Sequence, residues 1–207
     1  MKKTQWIALF LAAFVFLGVP TLLVQAEEAK EEAPKAVVLD DVDLSLWEGE
    51  WNNMGAYLKN DDLQEGFEAL AKEEGQSPEE ARVNYKRKRR CEFDALEIKD
   101  GKIMFRDGMI GEKNADVYEE AEYEYKESYT VKHGNFDLEW HVFVSKDEDA
   151  LYPTLLMMEV HGEEVLTHFH MRYGNETVEE LLAKESWYPT FVSPDSTTDQ
   201  LLEEITE

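Results

Sequence analysis

The sequence predicts a mainly β fold, an antiparallel β-barrel with flanking α-helices. Three observations carry that expectation. Hydrophobic residues make up 43% of the 207-residue chain and aromatics 12%, too rich for a wholly disordered acidic protein. Several short runs after residue 90 alternate apolar and polar side chains with a period of two, as half-buried strands do. Local turns such as Asp100-Gly101 and Gly134-Asn135 join these runs, which makes sequential strands neighbours in a meander.

The first residues read as an address. Lys2 and Lys3 precede an apolar run from Trp6 to Val19, Pro20 breaks it, and Val24-Gln25-Ala26 offers the small residues a signal peptidase reads. Residues 1–26 are therefore expected to be a signal peptide, with export to a periplasm or the outside. The run is short for a membrane span of about 20 residues, so no stable membrane insertion is expected after cleavage. Residues 27–39 form an acidic leader, expected to be flexible. Residues 40–207 form the folded domain.

Within that domain the Trp-rich stretch Leu44–Tyr57, broken by Gly49, is expected to be a first strand or the turn into one. Two helices follow, over about 62–74 and 78–89. Ser77-Pro78-Glu79-Glu80 starts the second: Ser77 caps, Pro78 suits the first turn, and Glu80 answers the cap. Strands are then expected over Cys91–Lys99, Lys102–Arg106, a run containing Tyr123, Tyr125 and Tyr129, and Phe136–Val144. A last hairpin pairs Leu155–His161 with Val165–Tyr173 about Gly162-Glu163-Glu164. Thr177 and Glu180 form another capping box, and a final helix begins near Thr197-Thr198.

Charge narrows the class of partner. With 46 Asp+Glu against 21 Lys+Arg, the net charge is −25. A nucleic acid would be repelled by such a surface, whereas a cation is attracted to it. One cysteine, Cys91, excludes an internal disulfide framework and a Cys-based zinc ribbon; it is expected to be buried and inert. The basic run Lys86–Arg90 is read as balancing carboxylates at a helix end, and Trp47, Trp51, Trp187 and Tyr188 as core.

Three of the five histidines fall within ten residues, His161, His168 and His170. On a strand, residues i and i+2 share a face, so His168 and His170 can approach one ion. A turn centred on Glu164-Val165 would set His161 opposite His168. Three neutral imidazoles suit Zn²⁺ with one position open for water, an anion or a carboxylate such as Glu163 or Glu164. Cd²⁺, Ni²⁺, Co²⁺ and Cu²⁺ suit the same donors. His133 sits beside a turn and His141 beside Trp140 inside a strand, so both are read as structural.

The chain resembles the ZinT/YodA family of exported metal-binding proteins with a lipocalin-like (calycin) barrel. The resemblance rests on Leu44-Ser45-Leu46-Trp47-Glu48-Gly49-Glu50-Trp51, on Ile98 to Phe105, on His168-Phe169-His170 with Gly174-Asn175, and on Trp187-Tyr188-Pro189-Thr190. It implies that His161, His168 and His170 are zinc ligands. It also implies a non-enzymatic zinc scavenger or chaperone that hands zinc, or buffers cadmium, to the solute-binding component of an ABC-type zinc-uptake transporter. The sequence departs from the family where an acidic leader replaces a His-rich loop, and where the loop between His161 and His168 is shorter. Two alternatives from other classes are a lipocalin-type carrier of an apolar ligand and a zinc hydrolase, the latter lacking a carboxylate at a motif spacing to act as base.

Overall fold

The computed structural model describes residues 34–59, 61–162 and 166–206. The expected signal peptide, the leader as far as residue 33, and Glu163 and Glu164 lie outside the described residues.

Eight strands close into an antiparallel barrel: β2 (Gly49–Asn53), β3 (Ala95–Lys99), β4 (Lys102–Arg106), β5 (Val117–His133), β6 (Phe136–Ser145), β7 (Thr154–Met157), β8 (His168–Gly174) and β9 (Thr190–Val192). They neighbour one another in chain order, and β9 pairs back with β2. The long β5 makes closure possible. Its first part pairs with β4 and the rest with β6, with register shifts at Phe105/Arg106 and Tyr125/Glu127 that let the ribbon bend. A two-residue β1 (Ala36–Val37) adds to β5 opposite Tyr129 and Ser128. The leader drawn over 27–39 thus ends in a paired segment rather than a free one.

Local chemistry sets the boundaries. The β3–β4 turn places Asp100 at φ 50° and Gly101 at φ 75°, the left-handed pair that a two-residue hairpin needs. Helix α2 (Gln64–Glu74) stops at a left-handed Gly75, and α3 (Pro78–Lys88) starts at the Ser77/Glu80 capping box. The short α4 (Val178–Leu182) starts at the Thr177/Glu180 box. Helix α5 (Thr198–Thr206) follows β9.

Residues 44–57 hold both a turn and the first strand, and add a short helix that was not expected. They form a 3₁₀ turn over Leu44–Trp47, then β2, then the short helix α1 (Met54–Tyr57). The Asp43 side chain accepts from the Ser45 amide and the Asn53 side chain from the Gly55 amide, and each turns the backbone out of extension. The strand expected from Cys91 begins only at Ala95, and the one expected over Leu155–His161 ends at Met157.

Alternation along the strands produces two apolar layers. Trp47, Phe93, Phe105, Phe143, Phe169 and Phe191 belong to one large cluster, each at most 2% exposed. Their rings interlock: Phe93 lies within 5.5 Å of Phe105, Tyr152, Tyr173 and Phe191. A smaller cluster joins Met54, Leu58, Phe67, Tyr85, Val192, Leu201 and Ile205, and mounts the helices on the barrel. Phe169 and Val192 belong to different clusters, although each lies beside a residue of the other strand in the β8–β9 pair. The two faces of β8 therefore differ: Phe169, Met171 and Tyr173 pack into the large cluster, and His168 and His170 face the helix side.

Arg172, on that same side, is a buried clamp. Its Nε donates to the Trp187 carbonyl at 3.1 Å, and its Nη1 to those of Leu181 and Leu182 at 3.0 and 2.8 Å. The guanidinium lies 4.4 Å from the Trp140 ring centre and 4.8 Å from that of Tyr188. The end of α4 is thereby tied to the strand that carries the histidines.

Candidate metal centre

His161, His168 and His170 come together. One donor atom of each lies within 4.8 Å of those of the other two, and the ring centroids stand 4.1 to 5.5 Å apart. The expected register is the observed one: His161 bridges His168, each amide donating to the other's carbonyl at 2.9 Å. Two nitrogens on one tetrahedral zinc stand roughly 3.3 Å apart, so small ring movements close the set on an ion.

The far side of each ring is also held. His161 Nδ1 donates to the Glu159 carbonyl at 2.7 Å and His168 Nδ1 to the Leu166 carbonyl at 2.8 Å. His170 Nδ1 lies 3.0 Å from Thr190 Oγ1, whose own proton goes to the Tyr188 carbonyl, so the hydroxyl accepts from the ring. With Nδ1 protonated in all three, the lone pair is left on Nε2. That fixes one tautomer and one orientation for metal binding.

At His170 electrostatics favour the neutral ring. Removal from water, reinforced by Arg89, the two neighbouring imidazoles and Arg172, holds His170 well below the ordinary imidazole value. A neutral imidazole is the form that binds metal. The three rings line a cavity of about 560 Å³ together with Arg89, His133, Phe136, Met158, Tyr188 and Glu204.

The structure adds two residues and moves a third. Glu204 of α5 is 3% exposed, and its Oε2 lies 3.7 Å from His168 Nε2. The acid absent from any sequence motif is therefore supplied by the fold. Its signal was available: Leu201, Glu204 and Ile205 share one helix face, so an acid sits among buried apolar positions. Arg89, read as part of a basic run that balances carboxylates at a helix end, does pair with a carboxylate, but a buried one on another helix: Glu204, at 3.1 Å. His133, read only as a turn residue, stands on the cavity wall with Nδ1 3.4 Å from the Tyr188 hydroxyl.

His141 is the core histidine its position suggests. It is fully buried, with Nδ1 2.8 Å from Ser128 Oγ and its ring edge-on to Trp47 at 5.6 Å. Burial lowers its pKa. Cys91 is partly buried beside the Tyr173 hydroxyl, and burial raises its thiol to about 12, which leaves it unreactive at neutral pH. No helix among the described residues is long and apolar enough to cross a membrane.

Barrel and histidine cluster together define a class: a lipocalin-like barrel with three imidazoles gathered on its helix-covered side, a donor set that could hold a metal ion. The chain belongs to the ZinT family, whose description is ZinT (YodA) periplasmic lipocalin-like zinc-recruitment; the match covers residues 26–207. Among solved structures, the chain is similar to the Zn(II)-bound ZinT-like domain of Streptococcus pneumoniae AdcA. That likeness has a TM-score of 0.62 and 17% identity over 86% of this chain and 94% of that one. Zn(II)-bound AdcA from the same organism gives the same TM-score and identity, over 83% of this chain and 37% of its own. This chain thus spans little more than a third of that AdcA chain. Among curated proteins, none matches the sequence.

Proposed function

We propose that the protein is an exported zinc scavenger or chaperone that captures Zn²⁺ on His161, His168 and His170 and passes it to zinc uptake. The observation that carries this is the arrangement of the three rings: they converge, and each Nδ1 already has an acceptor. Glu204 is the fourth ligand in this reading, since a carboxylate oxygen 3.7 Å from His168 Nε2 is close to ligand-to-ligand spacing on one ion. By donor type Cd²⁺, Ni²⁺, Co²⁺ and Cu²⁺ would also bind, with cadmium buffering as a side role. Family membership and the signal-like residues 1–26 support action in the periplasm. The family's description as zinc-recruitment supports delivery to zinc uptake, with the solute-binding component of a transporter as the recipient in this reading.

The other two readings have less support. Interlocked rings take up the interior that an apolar ligand would need. Glu204 gives the hydrolase reading an acid beside the histidines, but its pairing with Arg89 makes it a poor base. Turnover of simple esters or hydration of CO₂, lost in His168→Ala, would favour that reading.

The test is calorimetric titration with zinc at neutral pH against a competing chelator, beside a His168→Ala/His170→Ala variant. Tight binding near 1:1 that the variant loses is the expected result. Weak binding that the substitutions leave unchanged would overturn the reading.

A further inference from the structure

Glu204 and Arg89 make an ion pair in a place where charge is costly. The Glu204 side chain is 2% exposed and that of Arg89 14%. Arg89 Nη2 donates to Glu204 Oε1 at 3.1 Å, while the other oxygen, Oε2, lies 3.7 Å from His168 Nε2. One carboxylate is therefore shared between a fixed cation and the position of the incoming one. A buried carboxylate needs a positive partner, and in the metal-free protein Arg89 is that partner. A zinc ion among the three imidazoles would serve the same purpose with twice the charge.

We propose that Arg89 sets the affinity of the metal centre: it stands in for the metal at Glu204, and zinc binds by taking that carboxylate from it. This rests on the reading of Glu204 as fourth ligand. Arg89 is placed for such an exchange. It follows the last turn of α3, its amide donates to the Tyr85 carbonyl at 3.0 Å, and its guanidinium lies 4.7 Å from the Tyr85 ring centre. Those contacts hold it beside the site when Glu204 turns away. Among the described residues its Nε has no hydrogen-bond partner. Arg89 also lines the cavity of the histidines, which leaves a displaced side chain room to move.

Linkage gives the consequence. Removing Arg89 leaves Glu204 uncompensated in the metal-free protein, but not in the zinc-bound one. Whatever the free state loses beyond the bound state appears as tighter binding. Arg89 lowers affinity and keeps the empty protein folded, a useful combination where the cargo has to be released.

The experiment compares the purified protein with Arg89→Met, Arg89→Gln, Glu204→Gln and Arg89→Gln/Glu204→Gln, measuring zinc Kd by chelator competition and thermal midpoints with and without zinc. Both Arg89 variants are expected to bind zinc more tightly, on the order of tenfold, with the metal-free midpoint falling further than the zinc-bound one. Glu204→Gln should bind more weakly, and the double variant should match it. If Arg89→Met is unfolded without zinc, refolding on zinc addition supports the proposal, and Arg89→Gln, which keeps a donor for the carboxylate, supplies the affinity. Unchanged or weaker binding in both Arg89 variants overturns it, because Arg89 would then only position Glu204. Unchanged binding in Glu204→Gln removes the fourth-ligand reading and the proposal together. The three-histidine site stands or falls separately, on the His168→Ala/His170→Ala variant.

Discussion

His161 and His168 are joined twice, by reciprocal backbone hydrogen bonds of 2.9 Å and by rings whose centroids lie 4.1 Å apart. The bridge resumes the β7–β8 pairing beyond the end of β7, one residue out of its register, and brings His161 from outside the regular sheet beside the face of β8. Gly162, at φ +76°, makes the turn possible.

Substituting Gly162 should damage the site more than the fold. A Cβ there would collide with the Leu166 carbonyl that holds His168 Nδ1, and would stand 2.9 Å from that nitrogen. Gly162→Ala is expected to weaken zinc binding by about tenfold or more, at a stability cost of about 1–3 kcal/mol. Chelator competition and chemical denaturation read the two effects. Affinity equal to that of the parent would show that His168 is not positioned through this turn.

Thr190 tests the orientation of His170 without replacing a proposed ligand. Its hydroxyl accepts from His170 Nδ1 at 3.0 Å, and it is fully buried. Thr190→Val should keep the barrel and weaken zinc binding by roughly 10–100-fold, the usual effect of losing a ligand's outer hydrogen bond. Thr190→Ser, which keeps the acceptor, should bind like the parent.

Arg172 should matter for stability rather than for metal chemistry. Arg172→Met leaves the carbonyls of Leu181, Leu182 and Trp187 without this donor in a buried place. A loss of about 3–5 kcal/mol is expected, measured by urea denaturation of the metal-free protein. A change under 1 kcal/mol would mean that water replaces the guanidinium there.

Acid should destabilise the metal-free protein in a defined window. Burial lowers the pKa of His141, and burial with neighbouring positive charge lowers that of His170. In the unfolded chain both titrate near about 6.5, so below that pH the unfolded state binds more protons than the folded one. Their contribution is complete above about pH 6.5 and drains as pH falls toward the lowered folded values. Denaturation midpoints at pH 7.5 and 5.5 check this; a midpoint that rises on acidification contradicts it. Zinc affinity should fall in the same direction, since protons compete for imidazole, and equal affinity at pH 5 and 7.5 would sink that expectation.

Much of the architecture was legible because it rests on local chemistry. Ser77/Glu80, Thr177/Glu180 and the Asp100-Gly101 turn each satisfy a backbone requirement within four residues, and each appears as read. His168 and His170 were legible for the same reason, since period two needs no tertiary information. What was hidden depends on distant partners. The barrel was expected, but the strand that closes it, the three-residue β9 paired with β2, is too short a segment to stand out. Glu204 and Arg89 lie 115 positions apart, and no local motif pairs them before α3 and α5 bring them together. His133 reaches the cavity only because β5 is long enough to carry its end there.

The most direct test of the central claim is X-ray absorption at the zinc edge on the protein loaded with one equivalent of zinc. Three imidazole nitrogens near 2.0 Å with one oxygen at similar distance are expected, the oxygen belonging to Glu204 and the imidazole signal dropping in His170→Ala. A coordination sphere dominated by oxygen, or one unchanged in His170→Ala, would contradict a three-histidine centre.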